Sequence, residues 1–303
     1  MKYEEIITNR LVFLSLTSLE PAEFIYLLRF FTPLWERYYR YHTTEGEKRK
    51  IISYQEHKSA KLQGTGQKLF FLLVYLKNNP LQTFQGATFG ISQAKVSKIT
   101  DVLLTVFDET LKKMDLSPCR DGELLQSLLS NHPQKVFTYD GMERGIQRNS
   151  DYDAQENEFS GKKKAHKVKN NLLCDDNQYI HYLSPTENGS VHDKTIANEY
   201  PIFLPFKSVL RQDMGFIGHK PEGIIIEVPF KKSKNKQLPF SQLIYNRLLS
   251  ETRVVIEHAN SGVKRLRIIK DTVRLHAFEI RDKIIAIACA LHNFRTTSPY
   301  RNY

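Results

Sequence analysis

The run KVFTYD, residues 135–140, marks the point at which this chain changes from helical to strand-like patterning. Before it, apolar residues recur every three or four positions across most of residues 1–130, which is typical of helices. KVFTYD itself alternates apolar and polar side chains and ends in the acid Asp140, as a half-buried strand can. We therefore expect a helical region followed by a domain that contains a sheet.

Further strand and helix candidates follow KVFTYD. Lys164–Cys174 and Gln178–Ser184 read as strands, and the residues of Asp175–Asn177 are suited to the turn between them. A helical stretch begins at Ile196, and the later candidates are strands Val209–Met214 and Gly223–Val228 and helices Ser241–Ile269 and His276–Phe294. This order predicts an α/β domain.

The segment near residues 81–106 has the anatomy of a helix-turn-helix. A short helix near Leu81–Ala87 precedes a turn at Phe89 and Gly90, and Ser92 is a suitable N-cap for a second helix. In such a motif the second helix lies in the major groove of DNA. The polar residues at its start are predicted to face DNA: Gln93, Lys95, Ser97 and Lys98. A plain helical hairpin with a polar outer face is the alternative.

The net charge favours a polyanionic partner. Lys and Arg number 44 against 33 Asp and Glu, which gives +11 at pH 7. We interpret this excess as favouring nucleic acid over an anionic membrane.

No apolar run approaches the ~20 residues that span a bilayer, and the start MKYEEIITNR lacks the basic-then-apolar order of a signal peptide. We expect a cytoplasmic, nucleoid-associated protein of a prokaryote with no membrane partner.

Cysteine and histidine usage gives no pattern typical of zinc. Cys119, Cys174 and Cys289 are odd in number and far apart, so they form neither a disulfide framework nor a zinc motif. The ten histidines lack the paired spacing of zinc sites. A zinc enzyme is therefore not expected.

Three acidic residues are the candidates for chemistry. Asp140 ends a strand, at the edge where open α/β sheets bind ligands. Asp193 follows GSVH and precedes a helical run, so a turn places it at the head of a helix. Glu257 lies on an amphipathic helix and shares one stripe with Arg253, Asn260 and Lys264. Each acid has an ordinary alternative, namely a turn residue, an N-cap and an exposed ion-pair ladder.

Carboxylates of this kind suit Mg²⁺ or Mn²⁺, the ions that assist phosphodiester cleavage. Glu143, in the run GMERGIQR after Asp140, is placed to orient such a site.

A basic cluster further along is predicted to contact the DNA backbone: Lys162, Lys163, Lys164 and Lys167. Strand alternation sends only half of such a cluster to one face, so a solvated strand is the alternative.

Several ordered blocks carry a resemblance to one family. The runs YDGMERGIQR, QENEFSGKKKAHKVKNNLL and IHYLSPTENGSVHDK are followed by RQDMGFIG, NRLLSETRVVIEHANSGVKRLRII and ALHNFR. Together they resemble the DDE transposases of the insertion sequence five group, whose eukaryotic relatives are the PIF/Harbinger elements. LFFLLVYLKNNPLQTFQGATFGISQAKVSKI is similar to the helix-turn-helix region of that group. The resemblance covers roughly residues 60–295 of the chain.

The resemblance implies a ribonuclease H-like catalytic domain at 131–303, preceded by an all-α DNA-binding region at 1–130. It assigns the metal-binding triad to Asp140, Asp193 and Glu257, which would hold two divalent ions, Mg²⁺ or Mn²⁺. The basic residues that flank the glutamate correspond to Arg253 and Lys264. Four further residues are expected to support the site: Glu143, His192, Asp213 and Asn260. Met142 and Ser250 depart from residues common in such blocks, a small hydroxyl residue and a tyrosine respectively.

The function implied is that of a transposase acting on double-stranded DNA. Such an enzyme binds terminal inverted repeats, cleaves the element ends and joins the 3′-hydroxyls to target DNA, and we expect a homo-oligomer on DNA. Two alternatives remain open at this point. One is a DNA-binding protein derived from a transposase without nuclease activity, and the other is a metal-dependent nuclease that does not transpose.

Overall fold

The structure is a computed structural model that describes residues 1–53, 55–57, 59–132, 135–161, 163–232 and 237–301. Its helices are α1 Tyr3–Ile6, α2 Arg10–Thr17, α3 Pro21–Tyr41, α4 Gly64–Asn78, α5 Gln82–Phe89, α6 Gln93–Lys113, α7 Gly122–Leu129, α8 Tyr152–Glu158, α9 Asp193–Glu199, α10 Phe240–Val263, α11 Arg267–Lys270 and α12 Phe278–Thr297. Its strands are β1 Val136–Gly145, β2 Phe159–Ser160, β3 Ala165–Asp175, β4 Ile180–Leu183, β5 Glu187–Asn188, β6 Val209–Gln212 and β7 Ile225–Glu227.

The chain forms two compact units. The first contains 1–117, 264–271 and 283–303, and the second contains 118–263 and 272–282. Segments from both ends of the chain thus belong to the first unit, whereas the sequence prediction has a single boundary near residue 130.

The described secondary structure of the first unit is helical and is built around α4. This helix is buried along nearly its whole length because its residues are apolar on every side, and it packs against α2, α3, α6 and α11. It ends at Asn78 and is followed by Asn79, which adopts the left-handed conformation before Pro80.

The predicted helix-turn-helix is present as α5 and α6. The turn requires Gly90, whose φ of +71° lies in the left-handed region. Ser92 caps α6 by accepting a hydrogen bond from the backbone N–H of Lys95 at 3.3 Å. On the other face of α6, Val96, Ile99 and Val102 are buried, whereas Ile91 before the helix is half-buried.

The second unit contains a mixed sheet with the strand order β2-β3-β1-β6-β7, and β4 and β5 also pair with β3. Strand β1 is antiparallel to β3 and parallel to β6. On one face, Phe137 and Tyr139 pack with Leu125 of α7 and Ala197 of α9. Helix α10 also packs against β1 and β3. The predicted α/β class, preceded by a helical region, is therefore confirmed.

Two predicted boundaries are wrong. Asp140 does not end β1, because pairing with β3 continues to Gly145 opposite Lys167. The predicted helix Ser241–Ile269 is broken after Val263. The chain leaves the helix at Lys264 and starts the separate helix α11 at Arg267, and Leu266, Ile268 and Ile269 are all buried there.

Within the described residues, no single helix has the length and apolar character needed to cross a membrane. The consecutive helices α2 and α3 meet that criterion only when taken together, and they are bent by 54°.

Candidate active site

Sheet register places Asp140 beside Asp213. Tyr139 of β1 lies opposite Gln212 of β6, and the next residue of each strand is an aspartate. Parallel neighbours are ~4.8 Å apart and in-register residues share a face, so the two carboxylates leave the sheet side by side. Asp213 accepts a hydrogen bond from the N–H of Gly215 at 2.7 Å, which fixes its side chain at the start of a short 3₁₀ turn.

Asp193 joins this pair from the first residue of α9. The side-chain amide of Asn171, which lies opposite Gly141 in β3, donates to the backbone carbonyl of Asp193 at 2.8 Å. The Asp193 carboxylate fills the space above Gly141, where an added Cβ would lie 2.8 Å from its Cγ. It also borders Gly215, next to Asp213. The three aspartates thus form one cluster.

Helix α10 contributes Arg253 and Asn260 to the cluster. The amide of Asn260 donates to Asp140 Oδ2 at 3.3 Å, and the charge of Arg253 acts on Asp140. Glu257 lies between them on the predicted stripe, but its side chain is exposed and makes no hydrogen bond or ion pair with a described residue. Of the predicted triad, the structure therefore brings Asp140 and Asp193 together directly, and it places Glu257 on the same helical face as two residues that act on Asp140.

The negative charge of the cluster is only partly compensated. Burial, and next the charge of Asp213, raises the pKa of Asp140 to about 6, whereas Arg253 lowers it. Asp193 Oδ1 and Asn260 Oδ1 are buried and have no hydrogen-bond donor among the described residues. A hard divalent cation prefers a set of oxygen ligands such as this one. The residues present therefore fit Mg²⁺ or Mn²⁺.

The ammonium of Lys169 lies beside both Asp193 and Glu143. Its buried ammonium lies 3.5 Å from Asp193 Oδ1 and 3.5 Å from Glu143 Oε1, and it donates to the carbonyl of Val191 at 3.0 Å. Glu143 also accepts from Lys167 at 3.0 Å. Burial works to raise the pKa of Glu143, but the hydrogen bond and charge of Lys167, together with Lys169, lower it. Glu143 thus supports Asp193 indirectly, through Lys169.

The remaining predicted site residues lie on other parts of the chain. His192 is exposed and precedes α9 without capping it, and Lys163 and Lys164 lie in an exposed turn. Lys264 follows the last residue of α10 and belongs to the first unit. Lys162 lies outside the described residues.

The helix-turn-helix residues occupy the start of α6. Gln93 and Lys98 are exposed, whereas Lys95 and Ser97 are half-buried. Gln93 donates to Gln82 at 2.6 Å, and Lys98 pairs with Glu45 at 3.1 Å.

The structure brings Asp213 and Lys169 to the cluster, where the sequence interpretation gives Asp213 a supporting role and Lys169 none. A signal for Asp213 is present in the sequence, since VLRQD at 209–213, like VFTYD at 136–140, is a short strand-like run followed by Asp. Lys169 had no local signal, because its importance depends on the position of α9 over β3.

Asp140→Asn is expected to stabilise the metal-free protein. The folded state raises the pKa of Asp140 from 3.8 to about 6, so the wild-type protein loses stability as pH rises through that window. At pH 7 in EDTA, the variant should be more stable by on the order of 1–3 kcal/mol, and this advantage should shrink toward pH 4. Denaturant unfolding across this pH range measures it. Glu251→Gln, which alters an exposed acid on α10, serves as the control, and equal stability of Asp140→Asn and wild type at pH 7 would contradict the prediction.

Gly141→Ala is expected to disturb Asp193. The new methyl group would collide with the Asp193 carboxylate, which should lower the free energy of unfolding by about 1–3 kcal/mol. Gly145→Ala, on the same strand, meets nothing closer than 3.9 Å and should be tolerated better. In an Asp193→Ala background the Gly141→Ala penalty should largely disappear. A penalty that persists there would place its origin elsewhere.

Two regions of the chain match models of known protein families. The chain matches the family described as DDE superfamily endonuclease over residues 139–293, and the helix-turn-helix of DDE superfamily endonuclease over 60–113. It is 30% identical over 141 residues to the probable transposase for insertion sequence element IS702 of Microchaete diplosiphon. That match covers 44% of this chain and 49% of the relative, so the chain spans about half the length of the relative it matches.

No solved structure matches the chain. The match over 139–293 covers half of the chain and contains the three clustered aspartates and Glu257. The chain belongs to the DDE superfamily endonuclease family.

Proposed function

We propose that this protein is a transposase that cuts and joins DNA at the aspartate cluster of its second unit. The observation that carries the proposal is the placement of Asp140 and Asp213 on adjacent parallel strands, with Asp193 beside them. Membership of an endonuclease family supports the chemistry, and the name of the relative from Microchaete diplosiphon supports the biological role.

Within this proposal, Asp140 and Asp213 are the principal metal ligands. They extend from neighbouring strands, and the charge of Asp213 has a larger effect on Asp140 than that of Asp193 has. Asp193 is already paired with Lys169, so it has less capacity to neutralise a cation. Glu257 completes the set from α10, where Arg253 and Asn260 on the same stripe act on Asp140.

Divalent ions bound at such carboxylates activate the attacking oxygen and neutralise charge on the leaving oxygen. The side chains of the protein position the DNA for this reaction. Arg253 Nε is buried and has no hydrogen-bond acceptor among the described residues, so its guanidinium can donate to a phosphate beside Asp140. Water attacks the phosphodiester at an element end and frees a 3′-hydroxyl, which then attacks target DNA in a second in-line displacement.

Matched substitutions distinguish the two possible triads. Asp140→Asn and Asp213→Asn should each reduce cleavage of an element-end substrate in Mg²⁺ by at least about 100-fold, because a lost ligand removes several kcal/mol of charge stabilisation. Glu257→Gln should behave similarly. Asp193→Asn should retain measurable cleavage. If instead Asp213→Asn retains full activity and Asp193→Asn has none, the triad is Asp140, Asp193 and Glu257.

The helix-turn-helix would bring this chemistry to the terminal inverted repeats of the element. The start of α6 carries exposed polar side chains, as a recognition helix does.

Joining two element ends to target DNA requires two active sites or one site used twice, so a homo-oligomer on DNA is part of the proposal. Chromosomal DNA as substrate places the reaction in the cytoplasm, on the nucleoid of a prokaryote.

Two lysines on α6 provide a matched test of DNA recognition. Lys95→Ala, at the start of the helix, should weaken binding to the inverted repeat by about 5- to 150-fold if it contacts a base. If it contacts a phosphate, the salt dependence of binding should fall by about one unit of slope. Lys113→Ala, at the other end of the same helix, should change neither value. Binding that is equally sensitive to both substitutions, or to neither, would contradict recognition by the start of α6.

A further inference from the structure

A second group of potential metal ligands lies on the sheet away from the aspartate cluster. His132 precedes β1, Asp175 ends β3 and His181 lies in β4. Asp175 is opposite Phe137, three residues before Asp140 on β1, which corresponds to ~10 Å along the strand. All three side chains belong to the second unit.

The three side chains converge on a small volume. His181 Nε2 lies 3.0 Å from Asp175 Oδ2, and His132 Nε2 lies 3.8 Å from the same oxygen. One ligand atom from each residue lies within 4.8 Å of the other two. Ligands around a tetrahedral ion with bonds of ~2.0–2.1 Å are roughly 3.3 Å apart, so modest side-chain rotations bring these atoms into coordination distance.

The surroundings hold the ligands in place. Asp175 Oδ1 accepts the N–H groups of Asn177 and Tyr179 in the β3–β4 turn, which directs Oδ2 toward the histidines. The Asp175 side chain is only 3% exposed, whereas those of His181 and His132 are 12% and 23% exposed. A buried acid with two partly accessible imidazoles leaves an approach for an ion and for a water as the fourth ligand.

We propose that His132, Asp175 and His181 bind a divalent transition-metal ion, with Zn²⁺ the best fit. Two imidazole nitrogens and one carboxylate oxygen suit Zn²⁺, whereas Mg²⁺ prefers oxygen ligands alone. The ion links the segment before β1 to the β3–β4 hairpin, so its role is structural. This site is independent of the proposed transposase activity and would exist in a protein without nuclease activity.

Histidine spacing in the sequence did not indicate this site. Zinc motifs detectable in sequence have their ligands in closely spaced pairs on one turn or helix. Here the ligands come from the segment before β1 and from strands β3 and β4, and the pairing of β1 with β3 and of β3 with β4 brings these parts of the chain together.

Zinc titration of the full-length chain tests the proposal. The protein is stripped with EDTA, transferred to excess Mg²⁺ to occupy the oxygen cluster, and titrated with Zn²⁺ against a chromophoric chelator. We expect one Zn²⁺ per chain and an increase in melting temperature on binding. Wild-type protein that shows no zinc binding in competition with Mg²⁺ would overturn the proposal and leave a hydrogen-bonded His–Asp–His cluster.

Neighbouring acids supply the matched control. Asp175→Asn keeps the oxygen that accepts the turn N–H groups but removes the ligand oxygen, so zinc affinity should fall by at least about tenfold. Asp176→Asn, one residue further along and paired with Arg211, should leave zinc affinity unchanged. Equal affinity of Asp175→Asn and wild type would overturn the proposal.

Cobalt provides a readout that does not depend on stability. Tetrahedral Co²⁺ with imidazole ligands absorbs visible light more strongly than octahedral Co²⁺ bound by oxygens alone. The intense bands should persist in Asp140→Asn, which alters the aspartate cluster, and should be lost in His132→Gln. The opposite pattern would assign the ion to the aspartate cluster and refute the site.

Discussion

The candidate active site depends on the position of β1 between an antiparallel and a parallel neighbour. The parallel register with β6 places Asp213 beside Asp140, at equivalent positions on adjacent strands. The antiparallel register with β3 places Asn171 opposite Gly141, and its amide holds the first residue of α9 above β1. Three carboxylates that are far apart in the sequence therefore meet because of backbone pairing, and their convergence does not depend on any local motif.

This arrangement has a cost in electrostatic energy. Burial and the charge of Asp213 both oppose ionisation of Asp140, and Arg253 and the backbone N–H of Gly141 offset only part of this effect. Lys169 similarly compensates Asp193 without donating a hydrogen bond to its buried Oδ1. A sheet selected only for stability would place apolar or neutral residues at these positions. The destabilising charge is therefore evidence that the cluster is maintained for binding a cation.

Local patterns predicted the elements well, but they predicted the site only in part. Alternation located the strands, and the apolar stripe of α10 placed Arg253, Glu257 and Asn260 on one face, because both depend on residues near in sequence. Pairing partners depend on long-range packing, so nothing in the local pattern placed Asp213 beside Asp140. The local pattern also did not show that β1 continues through Gly141, because this continuation depends on pairing with β3. The absence of a side chain at Gly141 leaves space for Asp193.

Ligand chemistry would separate the two metal sites proposed for this unit. Carboxylates also bind Zn²⁺. The aspartate cluster alone would therefore be vulnerable to occupation by zinc. A nearby site with two imidazoles binds Zn²⁺ in preference to the all-oxygen cluster, because nitrogen ligands suit the softer ion. Two sites with different ligands in one unit would thus allow a structural zinc ion to rigidify the sheet while the aspartates remain available for Mg²⁺.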